Sequence, residues 1–247
     1  MRLQLSTWME VEEYLKRCKG ILIPIGSTEQ HGPTGLIGTD AICPETIAFG
    51  AAEREEILVG PTINIGMAQH HLAFPGSITL RPSTLMAVLR DVIQSLLSQG
   101  FERIMFYNGH GGNIATTQAA FSEVYAEMSL SGAASLPQVK CRLINWFEGP
   151  SVYKLASELY GNQEGSHATP SEVSLSYFAY PHAVKQARLS PTVAPNGRFT
   201  HSRNMRETFP DGRCGSNPGL ASVEHGERLY QAAIGDLLNI WHTFMNS

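Results

Sequence analysis

The chain has 247 residues, of which 43% are hydrophobic, and a formal net charge of −4 at pH 7. This length and apolar content are enough for a sizeable core, so the composition indicates a soluble globular protein with one large domain or two small ones. Acidic and basic residues are interspersed, without a cluster of Lys or Arg long enough to neutralise a row of phosphates. The composition therefore argues against a nucleic-acid partner.

No apolar run approaches the roughly 18 residues of a membrane span, and acids interrupt the N-terminal segment where a signal peptide would be apolar. We therefore expect a cytoplasmic protein without a membrane partner. The cysteines form no CxxC pair, which predicts reduced, structural thiols rather than a zinc ribbon or a disulfide framework. They are Cys18, Cys43, Cys141 and Cys214.

The first third of the chain alternates helical and strand-like patterns. Thr7 and Glu10 have the spacing of a capping box and open a helix that Gly20 ends. The apolar run 21–27 predicts a strand, and a loop rich in Gly, Pro and Thr then reaches Asp40. A helix is predicted over 45–55 and a second strand over 57–66.

The middle third begins with a long loop, which is a frequent carrier of function in compact domains. The clearest helix follows over 83–100, with Ser83 or Thr84 as its cap. The run "RIMFYN" predicts a strand, which leads through the glycine-rich stretch 109–112 into a helix over 114–129. Another strand is predicted over 139–147.

The last third has a helical pattern over 148–181, interrupted by the loop "GNQEGSHATPSE". Residues 182–219 show little periodicity and predict an irregular excursion, after which a final helix covers about 220–243. Alternating strands and helices are typical of a mainly parallel sheet with helices on both faces. We therefore predict that residues 1–247 form a single three-layer α/β/α domain.

Residues that follow the strands carry the chemistry, because open α/β sheets bind ligands outside the carboxyl ends of their strands. Imidazoles and carboxylates delivered there by separate strands are the inventory of a zinc, manganese or iron site. Those that the pattern brings to one sheet edge are Glu29, His31, Asp40, His110, His167 and Glu172.

Each of these residues also has a structural interpretation. Glu29 and His31 could be solvated loop residues, although residues two apart in an extended segment point the same way and can hold neighbouring metals. Asp40 could be a helix N-cap, and Glu172 completes a capping box with Thr169. Two further histidines, in the loop after residue 66, are surface or packing residues or line a pocket: His70 and His71.

The stretch 109–112 reads Gly-His-Gly-Gly, and a glycine-rich strand-to-helix loop can also bind phosphate through its backbone N–H groups. It matches neither GxGxxG nor a Walker loop, and no acid stands about 20 residues later at a strand end to bind a ribose. The chain also lacks a GxSxG elbow and an HExxH helix. A nucleotide- or phosphate-binding module is thus the weaker alternative.

Four stretches, "GSTEQHGPTGLIGTD", "AFPGSITL", "NGHGGN" and "SHATPSEVS", together resemble the creatininase (creatinine amidohydrolase) family in order and spacing. The resemblance covers residues 20–180. It implies a three-layer α/β protein that assembles as a homohexamer and binds two divalent ions per subunit, of zinc, manganese, iron or nickel. It also implies hydrolysis of an amide-type C–N bond in a small-molecule substrate.

By this resemblance, one metal binds Glu29 and His110, the other binds His31 and Glu172, and Asp40 bridges them. His167 is the candidate for proton transfer, with Glu172 as the second catalytic candidate. Creatininase proper has a glutamate ligand shortly after its "NGH", where this chain has Gly111 and Gly112, so its role passes to Glu172 and creatinine is not the expected substrate. Substrate contacts are expected from His70, His71 and Trp146.

The resulting hypothesis is a metal-dependent amidohydrolase that cleaves a cyclic amide or a formamide. Two close divalent ions share a bridging water and lower its pKa to roughly 7, which supplies a hydroxide nucleophile. His167, expected to titrate near neutrality, then passes a proton to the leaving nitrogen. A non-catalytic member that keeps the metal as a structural element is the second alternative.

Overall fold

The computed structural model of the protein describes residues 1–132 and 138–247. Its central sheet has three parallel strands in the order β1 (Gly20–Ile25), β2 (Arg103–Asn108) and β3 (Lys140–Asn145). Ile25 pairs with Asn108, and Asn108 pairs with Asn145, so all three strands end at one edge. This edge is where chemistry is expected in an open parallel sheet.

Helices cover both faces of the sheet. Ile21 and Phe106 point to a core with the helices α1, α3 and α4, whereas Leu22 and Met105 point to a core with α2, α5, α6 and α8. The predicted three-layer α/β/α arrangement with a parallel sheet is thereby confirmed. The helices are α1 (Trp8–Leu15), α2 (Thr39–Arg54), α3 (Pro82–Ser98), α4 (Asn113–Leu130), α5 (Pro150–Tyr160), α6 (Pro170–Ala179), α7 (Ser202–Thr208) and α8 (Val223–Met245).

Most predicted elements are confirmed, and their boundaries shift where proline is involved. The capping box of Thr7 opens α1 as predicted. The predicted cap of α3 is wrong, because Pro82 takes the first helical position and Arg81 precedes it. Helix α2 begins at Thr39 rather than at 45, since Pro44 lies inside it instead of before it. Across the described ranges, no helix has both the length and the apolar character needed to span a bilayer.

The strand predicted over 57–66 is wrong. This segment runs along β1 and bonds to it at intervals, with the N–H of Leu22 donating to Leu58 O and the N–H of Ile63 donating to Pro24 O. It forms only isolated bridges, through Val59 and Ile63. Pro61 lacks an N–H group and interrupts the ladder between them.

The excursion 182–219 is mostly irregular, as predicted, but it contains α7 and packs near the sheet edge. Met205 and Phe209 are buried with Phe74 and Cys214 in a small cluster of their own. The excursion therefore packs beside the carboxyl edge of the sheet and does not form a separate layer.

Asp236 of α8 caps the start of α5 across the fold. Its Oδ2 accepts hydrogen bonds from the N–H groups of Ser151 (2.9 Å) and Val152 (3.2 Å). Gly149 precedes the helix, and a Cβ atom there would lie 2.5 Å from Asp236 Oδ2. A buried carboxylate from another helix thus satisfies the free N–H groups of the first turn and complements the helix dipole.

We expect Asp236→Ala to lower the free energy of unfolding by about 1–2 kcal/mol, because it leaves two N–H groups of α5 without their acceptor. Urea unfolding followed by circular dichroism measures this difference. Asp91→Ala, at an exposed aspartate of α3, is the control and should change stability by less than about 0.5 kcal/mol. Equal effects of the two substitutions would contradict the capping role.

Candidate metal centre

Two glycines bring the first turn of α2 against the ends of two strands. A Cβ atom on Gly26, after β1, would lie 2.2 Å from Asp40 O, and one on Gly109, after β2, would lie 2.0 Å from the same oxygen. Only residues without a side chain allow this approach. As a result, Asp40 is held at the carboxyl edge of the sheet, 3% exposed.

Glu29 and His31 reach the same place from the extended segment after β1. Both side chains are completely buried, so the solvated-loop interpretation is wrong for them. Residues two apart in an extended segment point to one side. Here that side is the one occupied by Asp40 and by His110, which follows β2.

The carboxylate of Asp40 lies between two imidazoles. Its Oδ1 is 2.9 Å from His31 Nε2, and its Oδ2 is 2.9 Å from His110 Nδ1. Glu29 Oε2 lies 3.3 Å from His110 Nε2, and Glu172 Oε2 lies 3.9 Å from His31 Nε2. The structure thus brings together the five residues that the sequence indicated as ligands.

Backbone carbonyl groups hold both imidazoles by their other nitrogen. His31 Nδ1 lies 3.0 Å from Glu29 O, and His110 Nε2 lies 2.9 Å from Met67 O. A carbonyl oxygen only accepts, so these nitrogens carry protons and donate. The nitrogens that face Asp40 are therefore the ones that can bind a cation, in the arrangement usual for metal-bound histidine.

Glu172 has both of the roles that the sequence left open. The N–H of Thr169 donates to its Oε1 at 2.6 Å, and its own N–H donates to Thr169 Oγ1 at 3.2 Å, which completes the capping box of α6. Its other oxygen, Oε2, is the one that faces His31. One carboxylate therefore caps a helix and contributes to the cluster.

Burial and mutual charge control ionisation in the cluster. Burial opposes the protonated form of His31, but Asp40 and Glu172 outweigh it and raise the pKa of His31 to about 10. Burial also opposes protonation of His110, whose pKa Glu29 and Asp40 raise to about 9. Burial raises the pKa of Glu29, whereas His31 and His110 overcome burial and lower that of Asp40. Positive charge is thus strongly favoured at this place.

Three buried oxygens support a cation as the source of that charge. Both carboxylate oxygens of Glu29, and Oδ2 of Asp40, accept no hydrogen bond of acceptable geometry although imidazole nitrogens lie close. Buried carboxylates of this kind are normally paired or bound to a metal. Three sets of donor atoms lie within 4.8 Å of one another: Glu29, Asp40 and His110; His31, Asp40 and Glu172; Glu29, His31 and His167.

His167 lies beside the cluster, with Nδ1 3.8 Å from Glu29 Oε1. The expectation that it titrates near neutrality is wrong, because burial and then the neighbouring His31 and His71 lower its pKa well below the ordinary value. The ring is therefore neutral in this environment, with one ring nitrogen protonated and the other presenting a lone pair.

A cavity of about 760 Å³ opens over the cluster. His70 lies on its wall, with its ring stacked 5.0 Å from that of Phe199, and Trp146 lies on another part of the wall. His71 is 2% exposed and reaches Glu29 Oε1 with Nε2 at 3.0 Å. All three residues predicted to contact substrate line the cavity, and His71 also packs against the ligand candidate Glu29.

The glycine-rich stretch does not present a free row of N–H groups. The N–H of Gly109 donates to Ile25 O at 2.9 Å, and the N–H of His110 donates to Asn108 Oδ1 at 3.1 Å. Two of the four N–H groups of the stretch are thus unavailable to a phosphate. The loop therefore works as a close-packed support for His110, which weighs against the phosphate-binding alternative.

Sequence reasoning missed two polar side chains near the cluster. Gln30 is 6% exposed, and its amide nitrogen lies 3.0 Å from a ring nitrogen of each of two histidines, contacts that no local pattern predicts. Glu164 lines the cavity, accepts a hydrogen bond from the Ser171 hydroxyl and has a buried Oε2 without a partner. No local pattern marks Glu164, because only the tertiary fold buries it.

Comparison with known proteins shows which family the chain resembles. A family model described as creatinine amidohydrolase matches residues 4–240. The mycofactocin precursor peptide peptidase of Mycobacterium ulcerans is 33% identical over 89% of this chain and 83% of its own. The creatinine amidohydrolase of Pseudomonas putida is 26% identical over 74% and 73%. A manganese form of creatininase superposes with a TM-score of 0.84 at 22% identity, covering 98% of both chains.

Glu164 generates a pH-dependent prediction. Burial raises its pKa from 4.5 to about 7, and the hydrogen bond from Ser171 offsets this only in part. As the pH rises, this carboxyl group loses its proton in the unfolded chain at a lower pH than in the folded protein. The free energy of unfolding therefore falls as the pH rises from 4.5 to about 7. We expect Glu164→Gln to remove this loss, which amounts to at most about 3 kcal/mol.

Urea unfolding of chelator-treated protein at pH 5 and pH 8 measures the effect. The free energy of unfolding of the variant, relative to that of the wild type, should be higher at pH 8 than at pH 5. Glu158→Gln, at an exposed glutamate of α5, should have the same pH dependence of stability as the wild type. An unchanged pH dependence in Glu164→Gln would contradict the burial of an ionisable carboxyl group at this position.

Proposed function

The chain belongs to the creatininase family of hydrolases that act on C–N bonds, and we propose that it cleaves a small cyclic amide or formamide with two divalent metal ions. The observation that carries this proposal is the carboxylate of Asp40, whose two oxygens each lie 2.9 Å from a different imidazole. If two divalent cations bind here, Asp40 would be the ligand common to both, and His31 and His110 would be their imidazole ligands. The orphaned oxygens of Glu29 favour the same interpretation.

Two sets of side chains would hold the ions. Glu29 and His110 belong to one set and His31 and Glu172 to the other, with Asp40 common to both. Imidazole and carboxylate ligands suit zinc, manganese, iron and nickel, and we propose zinc or manganese as the ions to test first. Each set would thus supply three protein ligands, which leaves room for water or substrate in the coordination of each ion.

When bound, a pair of divalent ions polarises a carbonyl group and lowers the pKa of a bound water. The protein contributes the rest of the chemistry. His167 lies within reach of Glu29, with Nδ1 toward the cluster, and is placed to take a proton from the nucleophile and pass it to the leaving nitrogen. Burial of the carboxylates keeps bulk water away and preserves their interactions with cations.

The cavity supports a substrate larger than one small ring. Its volume of about 760 Å³ lies in the upper part of the usual range for small-molecule sites, roughly 300–1,000 Å³. Trp146, Tyr153 and Phe199 supply aromatic wall, while His70 lies nearer the cluster. We propose that the cleaved amide lies over the cluster and that His70 and Trp146 contact the attached group.

Substitutions at two histidines separate metal binding from proton transfer. We expect His110→Ala to lose bound metal and activity together, because it removes an anchored ligand. His167→Ala should keep its metal and lose turnover by about 10²–10⁴-fold, the usual range for a general acid or base. Elemental analysis and steady-state kinetics on purified variants measure both quantities, with His182→Ala, at an exposed histidine, as the control.

The activity itself is tested with a panel of creatinine, other cyclic amides, formamides and short peptides, before and after chelation. Hydrolysis of a cyclic amide or a formamide that chelation abolishes and zinc or manganese restores would support the proposal. Two full metal sites in His110→Ala would overturn the ligand assignment. Stoichiometric metal without hydrolysis of any member of the panel would favour the non-catalytic alternative.

A further inference from the structure

Gln30 lies at the centre of a hydrogen-bond network that surrounds the metal centre. Its Oε1 accepts from the N–H of Gly32 at 2.8 Å, and its Nε2 donates to Gly212 O at 3.0 Å. One partner can only donate and the other can only accept, so the two ends of the amide cannot be exchanged. The amide orientation therefore follows from the backbone around it.

The number of hydrogens on the amide nitrogen of Gln30 determines which of its neighbours can accept. Gln30 Nε2 has two hydrogens but three neighbours at 3.0 Å: Gly212 O, His71 Nδ1 and His167 Nε2. Gly212 O takes one hydrogen. His167 Nε2 also lies 2.8 Å from the backbone oxygen of Gln30, to which it must donate, so it cannot accept a second hydrogen in its place. The second hydrogen therefore goes to His71 Nδ1.

The two histidines consequently present opposite edges to the cluster. His71 accepts at Nδ1, so its proton is on Nε2, the nitrogen that lies 3.0 Å from Glu29 Oε1. His167 is protonated on Nε2, so its Nδ1, 3.8 Å from Glu29 Oε1, presents a lone pair. A side-chain amide and a backbone carbonyl of one residue thus set both tautomers.

We infer that Gln30 is a positioning residue, which fixes the proton of His71 on the ring nitrogen nearest Glu29 and leaves His167 as a proton acceptor beside the metal centre. The inference rests on the proposed function, because it assigns Glu29 and His167 their tasks. It gives His71, which also lines the cavity, a role beside a ligand. Outer partners of this kind orient metal ligands, and their loss commonly weakens metal affinity by about 10–100-fold.

The excursion 182–219 completes the network. Gly212 has a φ of +86°, which favours glycine, and a Cβ atom there would lie 1.9 Å from Gln30 Oε1. The next residue, Arg213, is completely buried and donates to the backbone oxygens of Pro191 and Thr192. The carbonyl that orients Gln30 is therefore followed by a residue that is buried and hydrogen-bonded within the excursion.

The first measurement reads the tautomers directly in metal-free protein. Long-range ¹⁵N–¹H correlation spectra of ¹⁵N-histidine-labelled protein, assigned with His71→Asn and His167→Asn, should show both rings protonated on Nε2 alone. In Gln30→Glu, which replaces the N–H donor with an acceptor, the proton of His71 should move to Nδ1. A wild-type His71 protonated on Nδ1 would overturn the inference, whether or not the protein binds metal.

The second measurement is Zn²⁺ affinity, by competition with a chromophoric chelator. We expect Gln30→Glu and the uncharged Gln30→Met to bind Zn²⁺ at least tenfold more weakly than the wild type, and their zinc-saturated forms to have a lower kcat. Gln118→Glu, which adds the same charge on an exposed part of α4, should match the wild type. Thermal unfolding identifies any variant that fails to fold. If Gln30→Glu does not fold, the Zn²⁺ affinity and kcat of Gln30→Met test the inference.

The outcomes separate the inference from the proposed function. Folded Gln30 variants with wild-type Zn²⁺ affinity and kcat would overturn the positioning role while leaving the metal centre intact. A wild-type protein that binds neither zinc nor manganese would overturn the proposed function and with it the role of Gln30, even if the tautomers are as expected.

Discussion

The structure depends on one electrostatic constraint, which is that the carboxylates of Glu29 and Asp40 are buried where three strands end. Charges taken out of water are costly unless other charges meet them closely. His31 and His110 meet Asp40 from two sides, and each ring is anchored by a backbone carbonyl. The segments that follow β1 and β2 and the first turn of α2 must therefore each bring a charged or imidazole side chain to the carboxyl edge of the sheet.

The carboxylate of Glu172 both caps a helix and belongs to the candidate metal centre. One oxygen satisfies the N-terminus of α6, and the other faces His31. A carboxylate bound at its helix end has little rotational freedom, so the second oxygen is preorganised without an additional support. The choice between a structural and a functional interpretation, which the local pattern leaves open, therefore does not arise in the folded protein.

The features of the fold that the sequence predicts well are those determined by neighbouring residues. Strand ends, capping boxes and the periodicity of α3 depend on neighbouring residues, and so does the placement of imidazoles and carboxylates after parallel strands. The parts it missed depend on distant contacts. Pro44 looks like a helix boundary until tertiary packing shows it inside α2, and the segment 57–66 looks like a strand until Pro61 interrupts its pairing with β1.

The same distinction applies to the site. The five ligand candidates could be named because each follows a recognisable element, and the resemblance to a family gave them roles. Gln30 and Glu164 acquire meaning only from what surrounds them in three dimensions. A glutamine in a loop carries no signal of its own, and its partner Gly212 lies in a segment without periodicity.

The contact between Gln30 and Gly212 joins positions 182 residues apart. During synthesis, the segment with Glu29 and His31 leaves the ribosome long before the carbonyl that orders it. The network around Gln30 can therefore form only after the excursion has been synthesised and has packed against the segment that follows β1.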